Sequence, residues 1–223
     1  WFFGLSGIGL LAFAGALAVT LMVYGISLRG GRLPPTVVLL SGIALGAVAG
    51  ALTSLVMIVA NDGADVQRIL FWLMGSLASR RWEHVHMIWP QIAFGALFLQ
   101  YYARDLDLII QGEEQAQYLG VDVERVKRLL LVGATLLAAG AVSVSGIIGF
   151  VGLIVPHVMR LLVGPNHRVL LPSAMLGGAI LLVGADLLAR VVVAPGELPI
   201  GIITSLLGAP FFLFLLRRRA AGW

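Results

Sequence analysis

Ser145 and His157 are the residues that could make a nucleophile and its base, set in an otherwise apolar stretch. A serine–histidine dyad needs a third group to orient the imidazole. Nothing here supplies one, and Pro156 already accounts for that segment as a bent helix. His84 and His86, two apart, could share a metal ion. Two histidines alone make an incomplete site and read more simply as a solvated loop. Lys127 is the one lysine, and it does not follow Gly-x-x-x-x-Gly, so the chain has no P-loop with which to hold ATP. Neither His-Glu-x-x-His nor Gly-x-Ser-x-Gly occurs. With no cysteine there is no thiol nucleophile, disulfide or Cys-ligated metal. The sequence offers no catalytic residue, no metal ligand set and no cofactor site.

The elements that carry these residues belong to a membrane. Of 223 residues, 60% are hydrophobic and 12% charged, more apolar sequence than a soluble domain of this size needs. The apolar runs are continuous, as in spanning helices, and lack the alternation of a barrel. Spans are expected at about 2–28, 36–60, 87–102, 129–142, 147–162, 169–193 and 200–216. The 31 residues Leu129–Met159 carry no formal charge and are too long for one comfortable span. Ser143-Val-Ser-Gly146 is the expected break. Gly42, Gly46 and Gly50 form a small-residue stripe that suits close helix approach. Residues 65–78 are too short to span. With Trp72, Trp82 and Trp89 nearby, they read as a short helix at or dipping into the membrane surface.

The longest polar passage is Gln111–Arg128, expected to be an elbow of two short helices. Glu113 and Glu114 suit a helix N-terminus. Gly120 suits a left-handed stop, and Asp122 an N-cap for a second helix leading into the next span. Ala116 and Leu119 give the first helix an apolar knob. Such an elbow could be gripped by a second protein or could be an ordinary solvated loop.

Orientation follows from the basic residues. Arg29, Arg32, Arg104, Arg125, Lys127, Arg128, Arg160, Arg168, Arg217, Arg218 and Arg219 fall on one side. Arg68, Arg80, Arg81 and Arg190 fall on the other, and together these are all fifteen. The positive-inside bias places the elbow and the C-terminus in the cytoplasm. It also puts Trp1 outside, so an odd number of preceding spans is expected. The net charge of +4 lies beside the spans and is no nucleic-acid signal. Within the spans, Asp186 and Arg190, four apart, are the main charged candidates. A proton-driven carrier would be expected to bury more.

An ordered set of motifs resembles the FecCD-type permeases. They are Leu40-Ser-Gly-Ile-Ala-Leu-Gly46, Phe71-Trp-Leu-Met-Gly-Ser76, Tyr118-Leu-Gly-Val121, Gly146-Ile-Ile-Gly-Phe-Val-Gly-Leu-Ile-Val-Pro-His157, Gly164-Pro-Asn-His-Arg168, Ala185-Asp-Leu-Leu-Ala-Arg190, Glu197-Leu-Pro-Ile-Gly201 and Leu207-Gly-Ala-Pro-Phe-Phe212. The resemblance covers essentially the whole chain. It implies one all-α transmembrane permease domain over 1–223, of the type II ABC importer kind, with about seven of ten spans present. It implies a homodimer in a bacterial inner membrane, two ATPase subunits docked below and a periplasmic binding protein above.

In that frame the elbow, about 111–126, resembles the family's coupling helices, with Glu114, Ala116, Leu119, Gly120 and Val121 in contact with the ATPase. Arg190 matches an arginine that pairs with a glutamate of the binding protein; its plainer role would be to anchor a helix end by snorkelling. Ser41, Gly42 and Gly46 would suit a cytoplasmic gate. The implied cargo is a metal chelate, iron–siderophore or haem before cobalamin. The alternatives are an ion-gradient-driven secondary transporter or channel, and an intramembrane enzyme whose catalytic pair is missing.

Overall fold

The structure is a computed structural model that describes residues 7–28, 33–60, 62–78, 80–193, 196 and 198–220. The basic turn at 29–32, with Arg29 and Arg32, and residues 194, 195 and 197 of the later turn lie outside the described residues. Among the described residues there are ten helices and no strand. They are α1 Gly7–Ser27, α2 Pro35–Val59, α3 Gly63–Met74, α4 Trp82–Tyr101, α5 Ala103–Gln111, α6 Glu113–Tyr118, α7 Val123–Ser145, α8 Val151–Val163, α9 His167–Val192 and α10 Ile200–Ala220.

Four described helices are long and apolar enough to cross a membrane: α1, α2, α7 and α9. α8 and α10 are shorter apolar helices. The span expected at 87–102 falls on α4, which is not among these helices; its polar start holds Glu83, His84 and His86. The break expected at Ser143–Gly146 is present: α7 ends at Ser145 and Gly146 turns the chain at φ +70°. The short helix expected at 65–78 is α3. Asp62 caps it by accepting from the Ala64 amide (2.9 Å), and Asp65 pairs with Arg68 at 3.2 Å.

The contacts gather into two compact units, Trp1–Leu70 with Arg81–Val144, and Phe71–Arg80 with Ser145–Trp223. In the first unit, α4 and α7 run antiparallel and mesh small residues with large ones. A Cβ at Gly133 would meet the Phe98 ring at 2.8 Å, and one at Gly140 the Gln91 amide at 2.7 Å. One at Gly95 would run into Leu137. Gln91 also donates to the Leu136 carbonyl at 2.6 Å, a bond that satisfies a polar side chain on a helix face. The stripe expected from the sequence, Gly42, Gly46 and Gly50, lies elsewhere, on α2. At Gly42, Gly46 and Gly50 a Cβ would meet nothing within 4 Å, so no described helix uses that stripe for close approach. α1 and α2 meet elsewhere, at the buried Ser27–Ser41 hydroxyl pair, 2.9 Å apart.

In the second unit α8, α9 and α10 pack around Ala185, Ala189 and Ile200. Two glycines let backbones touch. A Cβ at Gly146 would strike the Trp72 carbonyl, and one at Gly201 the Met74 carbonyl. The Ser76 amide donates to the Ser145 carbonyl at 2.8 Å across the same junction. The end of α3 is thereby fastened to the α7–α8 break and to the first turn of α10.

Candidate functional site: the polar elbow

Gly112 separates α5 from α6 at φ +147°, a conformation L side chains rarely adopt. The Ala116 amide then donates to the Gly112 carbonyl (3.0 Å) to start α6, and Glu113 and Glu114 occupy its first turn. There they meet the positive end of the helix dipole. α6 stops as expected at Gly120, with φ +87°. The Val121 amide reaches back to the Ala116 carbonyl (3.0 Å) and the Gly120 amide to the Gln117 carbonyl (2.9 Å). This pair of bonds is the Schellman closure, which needs a left-handed residue where Gly120 stands. Asp122 accepts from the Arg125 amide at 3.1 Å and caps α7.

These turns sort the five expected coupling residues into two roles. Ala116 is fully buried and seats α6 on its neighbours. Leu119 is 68% exposed, and Glu114, Gly120 and, in part, Val121 lie on the outside. Tyr118, absent from the expected set, is 90% exposed and stands beside Leu119. A neighbouring tyrosine and leucine on a short anchored helix make a compact apolar projection of the kind interfaces use.

Sequence reasoning also missed α5. Leu106, Ile109 and Ile110 at helical spacing were its signal, masked by Arg104, Asp105 and Asp107. α5 packs on α6 and links the elbow to α4.

Charge ties the elbow inward. Lys127 Nζ lies 2.6 Å from Glu113 Oε2 and 3.6 Å from Glu124 Oε1. Glu124 Oε2 accepts from the Leu33 amide at 3.1 Å.

The remaining expected residues fall elsewhere. Ser41 is buried, pairs with Ser27 and donates to the Val38 carbonyl (3.0 Å), whereas Gly42 and Gly46 border open space. Arg190 Nε lies 2.8 Å from Asp186 Oδ2, one turn earlier on α9, and its side chain is half exposed. Ser145 donates to the Gly146 carbonyl at 3.1 Å, and the His157 ring meets Phe211 edge-on at 6.0 Å. His84 Nδ1 accepts from the Arg81 amide, and His86 faces Trp82. Each candidate for chemistry has a structural partner. Among the described residues no group of three or more His, Asp or Glu could hold a metal. Burial in the α3–α4 connection lowers the Arg80 guanidinium pKa, yet an arginine remains charged at any ordinary pH.

The model of the FecCD transport family matches residues 1–218. The chain is 49% identical over 213 residues to the cobalamin import system permease protein BtuC of Halobacterium salinarum, covering 96% of this chain and 57% of that one. It is 45% identical to the hemin transport system permease protein HmuU of Yersinia pestis, covering 93% and 62% respectively. Among solved structures it is similar to an ABC transporter described as of metal-chelate type, in an inward-facing conformation. That match has a TM-score of 0.81 and 32% identity, over 93% of this chain and 72% of the other. The chain thus spans less than two thirds of the length of these two curated relatives.

Proposed function

This chain belongs to the FecCD transport family, and from that membership we propose that it forms part of the permease of an ABC importer for a metal chelate. The observation that carries the reading is the elbow, a short helix seated by Ala116, closed at Gly120 and presenting Tyr118 and Leu119 outward. An ATPase subunit that changes shape with nucleotide grips this knob and shifts it as a rigid body. The chain needs no catalytic group of its own for that. ATP hydrolysis belongs to the partner, two copies of which serve a permease dimer.

Glu114, Leu119, Gly120 and Val121 form the contact with the ATPase, together with Tyr118, and Ala116 holds the helix in place. Gly42 and Gly46 supply a face on which a gate closes and parts, and Ser41 fixes that helix to α1. Arg190 docks the periplasmic binding protein by exchanging part of its pairing with Asp186 for an acidic group of the partner. The protein crosses the inner (plasma) membrane many times, with the elbow and C-terminus in the cytoplasm.

The cargo is an iron–siderophore, haem or cobalamin. Relatives named for cobalamin, hemin and iron(3+)-hydroxamate support the class without choosing within it. The test is uptake of labelled chelate into proteoliposomes that hold the permease with its ATPase. Uptake that requires ATP and the binding protein and ignores ionophores is the expected result. Uptake that follows a proton or sodium gradient without ATP would replace this reading with a secondary transporter.

A further inference from the structure

The exposed knob explains how a partner could push the elbow, but not how the push reaches the helices behind it. We propose that Lys127, with Glu124, is the positioning residue that ties the elbow to the start of α2; this rests on the importer reading above. Two segments of the elbow and a third 91 positions before Glu124 meet at these two side chains. Lys127 Nζ, on the first turns of α7, bonds Glu113 Oε2 at the first turn of α6 (2.6 Å). The same ammonium lies 3.6 Å from Glu124 Oε1, and Glu124 Oε2 holds the Leu33 amide at 3.1 Å. Leu33 is buried, two residues before α2 begins at Pro35. A connected path therefore runs from α6 through Lys127 and Glu124 to the helix that carries Ser41, Gly42 and Gly46.

The chemistry suits a moving joint. An ammonium has three donors on a flexible stem and can keep two carboxylates through a small shift of one of them. Both Glu113 and Lys127 side chains are partly exposed, at 47% and 20%. A pair so placed adds little to folding, so its value is geometric: it makes α6 and α7 travel together. Without the ammonium, Glu113 on α6 and Glu124 on α7 would be left as like charges and the tie between the two helices would be lost. Lys127 touches neither cargo nor nucleotide; it acts through the elements it holds.

The test uses the assembled permease–ATPase complex with its binding protein, and reads chelate uptake per ATP hydrolysed. Lys127→Glu should lower that ratio by about threefold or more while basal ATP turnover is kept, the scale on which one exposed ion pair acts. The swapped pair Glu113→Lys with Lys127→Glu puts an ammonium on α6 between two carboxylates of α7 and should restore the ratio. If Lys127→Glu assembles poorly, Lys127→Gln, which removes the charge without reversing it, gives the same reading. An unchanged ratio in Lys127→Glu or Lys127→Gln overturns the proposal, as does a swapped pair no better than Lys127→Glu. If the parent complex shows no stimulated ATP turnover, the importer reading falls and this inference with it. Stimulated turnover in the parent with an indifferent Lys127 sinks this inference alone.

Discussion

Gly120 is needed for its backbone and not for its size. At φ +87° a residue with a Cβ is strained, although a Cβ there would meet nothing within 4 Å. Gly120→Asn should therefore keep transport, because asparagine tolerates the left-handed region. Gly120→Val should unseat the Schellman closure at a cost of about 1–2 kcal/mol and lower uptake per ATP. Equal transport by both variants would count against the elbow as the coupling site. At Leu119, a change to Glu should uncouple ATP use from uptake without altering the melting temperature, since the side chain is mostly exposed. Arg190→Glu places two acids one turn apart on α9 and should weaken binding-protein docking, most at low salt. Asp186→Asn removes the Asp186–Arg190 ion pair and keeps the arginine, so docking should hold or tighten. Surface-bound binding protein measured at two ionic strengths checks both. Equal affinity for Arg190→Glu and the parent would refute the docking role.

Among the elements, the meshing of small residues with large ones between α4 and α7 gives a direct test of packing. Gly133→Leu drives a side chain into Phe98, and overpacking of this kind costs about 1–3 kcal/mol. Thermal unfolding in detergent should show a lowered midpoint for Gly133→Leu and none for Gly46→Leu, where the space is open. A midpoint unmoved by Gly133→Leu would mean the α4–α7 contact is not tight. This contrast also shows what was legible. The stripe Gly42, Gly46, Gly50 is regular within one helix and easy to see, but regularity does not say whether a neighbour is present. Gly95, Gly133 and Gly140 are spread over two helices, and their pairing with Leu137, Phe98 and Gln91 exists only once the helices lie antiparallel. The helix ends read well because their signals are local: Gly120, Asp122 and Gly146. α5 was missed because its apolar spacing is short and crossed by charge, and Tyr118 because exposure on a folded elbow is not written in the residue type.

For the whole molecule, the fold class and family were open to reading because apolar runs and ordered motifs are properties of the chain itself. The tie from Glu113 through Lys127 and Glu124 to Leu33 was not, since it joins residues up to 91 positions apart. The proposed function has the permease moved by its ATPase partner. It is tested most directly by ATP turnover of the permease with its ATPase and binding protein, offered ferric siderophores, haem and cobalamin in turn. Stimulation by one loaded binding protein is the expected result, and it would also name the cargo. Failure of any ATPase to assemble with the permease, or turnover indifferent to every loaded binding protein, would contradict it.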